Sequence, residues 1–285
     1  MRVAVTGSHG FIGSALIAKL ERDGHEAVRV TRSASGDLDT GALFGADAVV
    51  NLAGAGIGDK KWSPERKREI VESRTRTTTL VAETIAGMDR KPSVLLSGSA
   101  VGYYGDRGDE VLTEQSSAGS DFLADVCVQW EAATRPAEEA GIRVAHLRTG
   151  IVVGKSGGAL AKTLLLFKLG LGGRIGSGQQ YWSWISITDE IGAITFLLDH
   201  EVSGPVNLTG PKPVTNAELT KSIGRALHRP TFAPVPKFGP ALVLGREAAE
   251  VMTMASQRVE PAVLTSAGYR FVHPTADEAT AAELP

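Results

Sequence analysis

The amino terminus decides the fold: it reads Met1-Arg-Val-Ala-Val-Thr6, then Gly7-Ser-His-Gly10-Phe-Ile-Gly13, then Ser14-Ala-Leu-Ile-Ala-Lys-Leu-Glu21. The short apolar run predicts the first strand of a parallel sheet, and the last segment predicts a helix. Between them, the glycines allow a tight turn in which a diphosphate lies against peptide N–H groups, while the helix N-terminus adds partial positive charge. A strand, a glycine-spaced turn and a helix in this order predict a dinucleotide site; the alternative is a tight turn in an ordinary α/β protein.

The glycine spacing, Gly7-x-x-Gly10-x-x-Gly13, resembles that of the extended short-chain dehydrogenase/reductase superfamily, to which epimerases and dehydratases belong. Such a protein holds its cofactor with the glycine turn and with residues that follow the neighbouring strands. The expected cofactor contacts here are Gly7, Ser8, His9, Gly10, Phe11, Ile12, Gly13, Thr31, Arg32, Leu52, Ala53, Gly54, Ser97, Gly98, Thr149 and Gly150.

The residues after the second predicted strand indicate which nicotinamide cofactor binds. An NAD enzyme tends to place Asp or Glu there, as an acceptor for the ribose hydroxyls. After Glu26-Ala-Val-Arg-Val30, this chain instead has Thr31-Arg32-Ser33, a guanidinium between two hydroxyls, which suits a 2′-phosphate. The sequence therefore predicts NADP, unless Arg32 is an ordinary solvated surface residue.

The composition is typical of a cytoplasmic enzyme. At 285 residues the chain can bury an α/β core and a smaller lobe, and its formal net charge of −2 gives no electrostatic footprint for nucleic acid. The single cysteine, Cys127, excludes an intrachain disulfide framework and a cysteine-based metal cluster. The most apolar segment, residues 159–171, is interrupted by Lys162 and Lys168, so it predicts an amphipathic helix instead of a membrane span. Because the first predicted strand begins at residue 2, we expect no signal peptide, a cytoplasmic location, and a monomer or homodimer that binds a small molecule.

Predicted strands and helices alternate through the first half of the chain. Beyond the first two strands, strands are predicted at residues 47–54, 93–97 and 142–148, and helices at 64–85 and 121–140. Ser63 is the expected N-cap of the first of these helices, with Pro64 at its first position, and Gly141 closes the second. This alternation predicts an α/β fold with a doubly wound parallel Rossmann sheet, in which ligands bind beyond the carboxyl ends of the strands.

After about residue 155 the pattern loosens into glycine- and proline-rich loops between short elements. We expect an NADP-binding Rossmann domain at residues 1–155, continued by about 185–208. A small substrate-binding lobe is expected from residues 156–184 and 209–285.

Five segments resemble a narrower group of that superfamily, the atypical epimerase-like subgroup that carries a C-terminal domain of unknown function. These segments are residues 51–57, 73–75, 97–105, 122–131 and 147–152. The tail between residues 234 and 271 resembles that C-terminal domain. Residues 176–189 resemble the glycine-x-glycine to valine-aspartate signature of the extended family, so the resemblance covers the whole chain.

A typical member of the superfamily uses a Tyr and, four residues later on the same helix, a Lys, together with a Ser on the preceding strand that holds the substrate oxygen. The resemblance places the serine at Ser99, but the Tyr and Lys positions hold Leu123 and Cys127. A further partner, normally Asn, falls on Arg74. The usual proton relay is therefore missing, and the resemblance does not supply the reaction.

Several residues are candidates to replace the relay. Tyr103 and Tyr104 follow Ser99 on a glycine-flanked loop, where either phenol can point at the substrate, or one packs and the other is exposed. Arg74 either meets an anionic substrate or anchors its helix. Next to Arg74, the Cys127 thiol has a lowered pKa and serves as acid or nucleophile, or else it is a small buried hydrophobe.

An aromatic segment indicates the class of substrate. In the nucleotide-sugar enzymes, the loop that corresponds to residues 176–189 carries an Arg that contacts the substrate phosphate, and Trp182 takes that place here. Tyr181 and Trp184 add aromatic surface. We therefore expect a flatter, more apolar substrate held by Tyr181 and Trp182, whereas core packing is the alternative for both tryptophans.

Two functions follow from these observations. The first is an NADP-dependent oxidoreductase or epimerase-like enzyme on an unknown small, partly apolar substrate, which Ser99 and the aromatic segment favour. The second is a non-catalytic NADP-binding sensor or regulator, which the missing Tyr–Lys pair favours.

Overall fold

The computed structural model describes residues 1–33, 36–236 and 238–285. The strands are β1 (Arg2–Thr6), β2 (Glu26–Val30), β3 (Ala48–Asn51), β4 (Val94–Ala100), β5 (Val111–Leu112), β6 (Arg143–Thr149), β7 (Ile151–Val153), β8 (Tyr181–Trp182), β9 (Trp184–Ser186), β10 (Gly204–Leu208), β11 (Val214–Thr215) and β12 (Arg258–Val259). The α-helices are α1 (Phe11–Arg22), α2 (Pro64–Ala86), α3 (Phe122–Ala132), α4 (Arg135–Glu139), α5 (Gly158–Lys168), α6 (Ile187–Asp199), α7 (Asn216–Ala226), α8 (Gly239–Leu244), α9 (Arg246–Ala249), α10 (Ala262–Ser266) and α11 (Ala276–Glu283). Short 3₁₀ turns lie at Thr40–Leu43 and Val101–Tyr104, and a π turn lies at Glu250–Met254.

The central sheet confirms the predicted doubly wound architecture. In the described residues it has six strands in the order β2-β1-β3-β4-β6-β10, and every neighbouring pair is parallel. The strand order reverses at β1, which lies between β2 and β3. The carboxyl ends of β1 and β3 therefore flank the crevice at which this kind of sheet binds ligands.

Helices cover both faces of the sheet because its strands are apolar on both sides. Along β1, Val3 and Val5 point into a cluster with α1 and α6, while Ala4 points into a second cluster with α2 and α4. All three side chains are fully buried. Near-continuous apolar strands of this kind are expected only in a parallel sheet with two covered faces.

Of two helices predicted from the sequence, one begins where predicted and the other is divided in two. Helix α2 begins where predicted: Ser63 Oγ accepts a hydrogen bond from the Arg66 backbone N–H at 3.2 Å, and Pro64 occupies the first turn. The single helix predicted at residues 121–140 is wrong, because the structure breaks it into α3 and α4. The break lies at Thr134, whose hydroxyl bonds to the Glu131 carbonyl at 2.8 Å, just before Pro136, which has no N–H to continue the ladder.

A third cluster forms the core of the C-terminal half. Trp184 is fully buried in it, with Leu160 and Leu164 of α5 and Leu219 of α7. Helix α11 packs beside α7, so the end of the chain belongs to the same core. The domain limits expected from the sequence stay a prediction. In the described parts of the chain, no helix has both the length and the apolar character needed to cross a bilayer.

A buried aspartate attaches the C-terminal segment to α6. Asp189, in the first turn of α6, is 1 % exposed and accepts hydrogen bonds from the Tyr269 hydroxyl (3.1 Å) and from the backbone N–H groups of Val272 (2.7 Å) and His273 (3.0 Å). It also accepts from Ser186 Oγ at 2.8 Å. The aspartate of the signature at residues 176–189 therefore connects two parts of the chain that are eighty residues apart in sequence.

Candidate functional site

The glycine turn lies in the crevice between β1 and β3. Gly7 has a φ of +64°, a left-handed conformation that favours glycine, and a Cβ built on it would lie 2.6 Å from the Leu52 carbonyl oxygen. A Cβ on Gly13 would collide with the Gly7 carbonyl oxygen. The glycines thus allow the turn to pack directly on the end of β3.

The first turn of α1 is arranged to receive an anion. Gly10 is the N-cap, it provides no side-chain acceptor, and the first turn contains no acidic residue. Ser8 is 1 % exposed, and its Oγ has no hydrogen-bond partner among the described residues. Peptide donors and an unpartnered hydroxyl beside a helix N-terminus fit the diphosphate of a dinucleotide.

Two arginines lie at the end of β2. Arg32 is exposed, and its guanidinium donates to the Gly36 carbonyl at 2.8 Å and to Thr77 Oγ1 at 2.9 Å, so it is held at the edge of the crevice. Arg29 donates to the Ser8 carbonyl at 2.7 Å and thereby supports the glycine turn. Arg29 was not predicted from the sequence; its signal was a charged residue one position before the end of an apolar strand.

A chain of hydrogen bonds fixes the ends of β1 and β3. Thr6 Oγ1 donates to Asn51 Oδ1 at 2.6 Å, and Asn51 Nδ2 donates to Thr78 Oγ1 at 2.8 Å. The Trp130 indole N–H donates to the same Thr78 hydroxyl at 3.0 Å. Because these four residues belong to β1, β3, α2 and α3, the network holds the crevice walls together.

Arg74 lies against the end of β3. A Cβ on Gly54 would be 3.2 Å from its Cζ, and the guanidinium stacks 5.0 Å from the centre of the Trp130 ring. It donates to the Ile70 carbonyl of its own helix at 3.0 Å, and among the described residues it forms no ion pair with a carboxylate. Burial lowers the pKa of Arg74 from its ordinary value. The arginine is thus held in place by its helix and still has an uncompensated charge.

Ser99 lies at the carboxyl end of β4 and is part of a buried charged network. Its hydroxyl donates to Glu131 Oε1 at 2.7 Å. The Arg148 guanidinium donates to both oxygens of the same carboxylate, from Nε to Oε1 at 2.8 Å and from Nη2 to Oε2 at 2.9 Å. Burial would lower the pKa of Arg148, but the hydrogen bonds and charge of Glu131 outweigh it and raise that pKa. Arg148 was not predicted from the sequence to be a site residue.

The two tyrosines after Ser99 have different environments. Tyr104 is fully buried; its hydroxyl donates to Asn207 Oδ1 at 2.6 Å and accepts from Arg148 at 3.1 Å. Burial raises the pKa of Tyr104 to about 12. Tyr103 is half-buried, and its ring centre lies 3.4 Å from the Arg148 guanidinium carbon. Of the two, only Tyr103 combines exposure with proximity to the network.

Of the two alternatives for Cys127, the structure contradicts the activated thiol with a lowered pKa and favours the small buried hydrophobe. The residue is 4 % exposed on α3, and burial, together with the charge of Glu131, raises the pKa of its thiol to about 12, although the charge of Arg74 acts in the opposite direction. The desolvation of a thiolate outweighs one nearby cation. Leu123, one turn earlier, is also buried. The positions of the usual Tyr and Lys are therefore packed with small apolar groups.

An aromatic pair that was not predicted from the sequence lies beside Leu123. Trp62, in the segment before α2, meets the first residue of α3, Phe122, edge to face at 5.0 Å. The Lys67 ammonium lies 4.9 Å from the centre of the Phe122 ring and pairs with Glu247 of α9. The contact joins elements 60 residues apart, so no local sequence pattern revealed it.

The C-terminal segment reaches this wall of the crevice. A Cβ on Gly58, in the loop after β3, would lie 3.2 Å from the terminal methyl of Met252 and 3.8 Å from a methyl of Leu244. Together with the Lys67–Glu247 pair, these contacts bring α8, α9 and the π turn over the loop after β3. Met252 and Leu244 thus add apolar surface to this part of the crevice.

The predicted substrate residues lie on β8. The Trp182 side chain is half-buried against the third cluster, and its indole N–H is buried without a partner among the described residues. Tyr181 stacks with Arg258, whose guanidinium carbon lies 5.2 Å from the ring centre. Trp184 is fully buried in the core, which was the alternative given for it from the sequence. A role for Tyr181 and Trp182 in substrate binding stays a prediction.

A buried acid lies behind the end of β6. Thr149 Oγ1 donates to Glu190 Oε1 at 2.8 Å, and the other oxygen of this fully buried carboxyl has no partner in the described structure. Burial raises the pKa of Glu190 to about 8. A neutral carboxyl thus sits next to an expected cofactor residue.

Comparison with protein families assigns the chain. A model of the NAD dependent epimerase/dehydratase family matches residues 3–209, and a model of a domain of unknown function, DUF1731, matches residues 235–283. The chain belongs to the NAD dependent epimerase/dehydratase family. This confirms the resemblance drawn from the glycine turn and from the C-terminal tail.

Relatives within the epimerase family match almost end to end. An epimerase family protein of Mycobacterium tuberculosis is 44 % identical over 97 % of this chain and 95 % of its own length. The human epimerase family protein SDR39U1 is 37 % identical over 96 % of each chain. The crystal structure of human SDR39U1 (isoform 2) with NADPH superposes with a TM-score of 0.92 over 99 % of this chain and 98 % of that one, at 35 % identity. The cofactor in the human structure agrees with the NADP prediction made here.

More distant epimerases share the fold. The UDP-glucose 4-epimerase of Thermotoga maritima, solved with UDP-glucose, has a TM-score of 0.79 over 99 % of this chain and 96 % of its own, at 17 % identity. At that identity the likeness concerns the architecture only.

Proposed function

We propose that this chain is an NADP-dependent oxidoreductase or epimerase-like enzyme that acts on a small, partly apolar substrate. Family membership supports NAD(P) binding. The uncapped N-terminus of α1 and the unpartnered Ser8 hydroxyl suit a diphosphate, and Arg32 at the end of β2 suits a 2′-phosphate. When bound, such a cofactor supplies a hydride acceptor or donor.

One observation carries the catalytic part of the proposal: the Ser99 hydroxyl donates to a carboxylate that Arg148 holds on both oxygens. With its proton directed at Glu131, Ser99 Oγ keeps its lone pairs for a substrate hydroxyl. A substrate hydroxyl can then pass its proton to Ser99 as Ser99 passes its own to Glu131. This relay takes the place of the absent Tyr–Lys pair. In the reverse direction, Glu131 takes up a proton from water, and Ser99 passes its own proton to a carbonyl oxygen while receiving the one on Glu131.

The neighbours of Ser99 suit an anionic or aromatic group on an otherwise apolar substrate. Arg74 has a charge without a carboxylate partner in the described chain, and the Trp62–Phe122 pair at the start of α3 is a source of apolar surface. Tyr103, Tyr181 and Trp182 are further candidates for contacts.

A second function, a non-catalytic NADP-binding sensor, is favoured by the packing around α3. Leu123 and Cys127 fill the places of the catalytic pair with buried apolar groups, and the Cys127 thiol is a poor acid. A sensor needs the cofactor site but no proton relay.

The two functions are separated by comparing binding with turnover. The parent protein, Ser99→Ala and the exposed control Ser93→Ala would be titrated with NADPH and then followed through NADPH absorbance with a panel of carbonyl compounds. The enzyme proposal expects turnover that falls in Ser99→Ala alone, with NADPH affinity unchanged within a few-fold. Tight NADPH binding with no oxidation on any compound, in all three proteins, would instead assign the sensor.

A further inference from the structure

The C-terminal half exposes an unusual amount of apolar side chain on one surface. Phe232 is 86 % exposed, Val243 74 %, Leu242 69 %, Phe238 67 % and Leu169 64 %. Phe232 and Phe238 together offer roughly 300 Å², which is about the area of the largest apolar patch on a typical monomer. A patch of this size is often functional.

These side chains form one surface because two stretches of chain run side by side. The Val235 N–H donates to the Arg174 carbonyl at 2.8 Å, and the Gly176 N–H donates back to the Val235 carbonyl at 3.0 Å. Arg229 reaches the Lys168 carbonyl at 2.8 Å. We call the surface made by residues 165–174, 229–236 and 238–243 the leucine–phenylalanine face.

Core packing does not account for this face. On α5, the inner side presents Leu160, Leu164 and Phe167 to the third cluster. Leu165 and Leu166 lie on the opposite side, 63 % and 46 % exposed. A surface helix normally has polar residues there, so the outer side of α5 has the composition of a contact surface.

The charges on the face have one sign. Residues 155–178 and 226–246 contain Lys, Arg and one His but no Asp or Glu, in a chain whose formal net charge is −2. Lys168, Arg174 and Arg229 are exposed beside the apolar side chains. Paired with itself in a two-fold dimer, the face would bring like charges together, which disfavours a second copy as the occupant.

We propose that the leucine–phenylalanine face docks on the surface of a bilayer that contains anionic phospholipid. Exposed Leu and Phe side chains enter the boundary between headgroups and acyl chains, while the surrounding Lys and Arg side chains meet lipid phosphates. Docking of this kind is peripheral and needs no spanning helix. It does not depend on the reaction proposed for the crevice.

Flotation of the full-length protein with vesicles tests this. Vesicles of phosphatidylcholine alone are compared with vesicles that also contain phosphatidylglycerol, at low and high salt. We expect flotation with the anionic vesicles only, weakened by salt. Phe232→Ser should reduce the apparent affinity about tenfold or more, and Lys168→Gln about fivefold.

Matched variants outside the leucine–phenylalanine face serve as controls. Phe44 is 60 % exposed near the start of β3, and Arg76 is exposed on α2, so Phe44→Ser and Arg76→Gln should leave flotation unchanged. Thermal unfolding of each variant shows whether its fold is retained. The proposal is overturned if the parent does not float with anionic vesicles, or if the control variants reduce flotation as much as Phe232→Ser and Lys168→Gln. A concentration-dependent dimer that Phe232→Ser dissociates, without flotation, would assign the face to a second copy.

Discussion

Ser99 directs its hydroxyl hydrogen at Glu131, 2.7 Å away, although the two residues belong to different elements, β4 and α3. The hydroxyl is thereby oriented before any substrate arrives, and the carboxylate that orients it is held by Arg148. Orientation by a fixed neighbour is what a positioned proton-transfer group requires.

Removal of the Ser99 hydroxyl should affect turnover more than cofactor binding. In Ser99→Ala, the Glu131–Arg148 pair is retained, so we expect a stability loss of only about 1 kcal/mol and a rate loss of roughly 10²–10⁴-fold. Steady-state rates and NADPH titrations measure the two effects separately. An unchanged rate in a protein that does turn over would contradict the relay.

Glu131→Gln should destabilise the protein strongly. Arg148 is 3 % exposed, and the substitution leaves its charge buried with no carboxylate to balance it. Loss of one partner of a buried ion pair costs about 3–5 kcal/mol. Denaturant unfolding of Glu131→Gln, beside the exposed control Glu139→Gln, measures the difference; equal midpoints would show that the pair contributes little.

Arg32→Ala should discriminate between the two nicotinamide cofactors. A charge-assisted hydrogen bond to a 2′-phosphate contributes roughly 1.5–3 kcal/mol, so NADPH affinity should fall about ten- to a hundredfold. NADH affinity should hardly change, and the exposed control Arg22→Ala should affect neither. A parent protein that binds NADH as tightly as NADPH would rule out this role for Arg32.

The Cys127 thiol should resist alkylation in the folded protein. With its pKa raised to about 12 by burial, the thiolate fraction is negligible at pH 8. Because the chain has one cysteine, mass spectrometry after iodoacetamide treatment reports on this site only. We expect no adduct in the folded state and full labelling in denaturant. Rapid labelling of the folded protein would mean that Cys127 is an activated thiol after all.

Glu190 should make stability fall as the pH rises. Burial raises its pKa from the ordinary 4.5 to about 8, so the folded chain holds the proton more tightly than the unfolded chain does. The stabilisation is complete below about pH 4.5 and is lost as the pH rises through about 8, with a slope of up to about 1.4 kcal/mol per pH unit. Glu190→Gln should flatten this dependence, whereas the exposed control Glu21→Gln should not. Denaturant unfolding across this range measures it, and identical pH profiles for parent and Glu190→Gln would contradict the assignment.

Local patterns predicted the elements that local physics controls. The turn from Gly7 to Gly13 requires glycine where a Cβ would collide, and Ser63 with Pro64 is typical of a helix start. Each of these two features was therefore predicted from a few consecutive residues. The break at Thr134 was missed because apolar residues continue on both sides of it. Pro136, one turn before the end of the predicted helix, was the signal available.

Residues of the candidate site were predicted only where a short sequence motif includes them. Ser99 follows from its strand, but its partners Glu131 and Arg148 lie 32 and 49 residues away and meet it through the sheet register, which pairs Ser99 directly with Arg148. The high pKa of the Cys127 thiol depends on burial, which the sequence offered only as one of two alternatives. The contact between Trp62 and Phe122 likewise exists only after the chain has folded.

The hydrogen bonds to Asp189 connect the region that matches the epimerase/dehydratase family, residues 3–209, with the region that matches DUF1731, residues 235–283. A carboxylate buried at the start of α6 needs the Tyr269 hydroxyl and the Val272 and His273 N–H groups, and α6 in turn covers one face of the central sheet. A chain cut before the C-terminal region would leave that charge buried with most of its donors gone, a cost of several kcal/mol. Sheet and tail thus form one cooperative unit: they should melt in a single transition, and the C-terminal region is unsuited to exchange between proteins as an independent part.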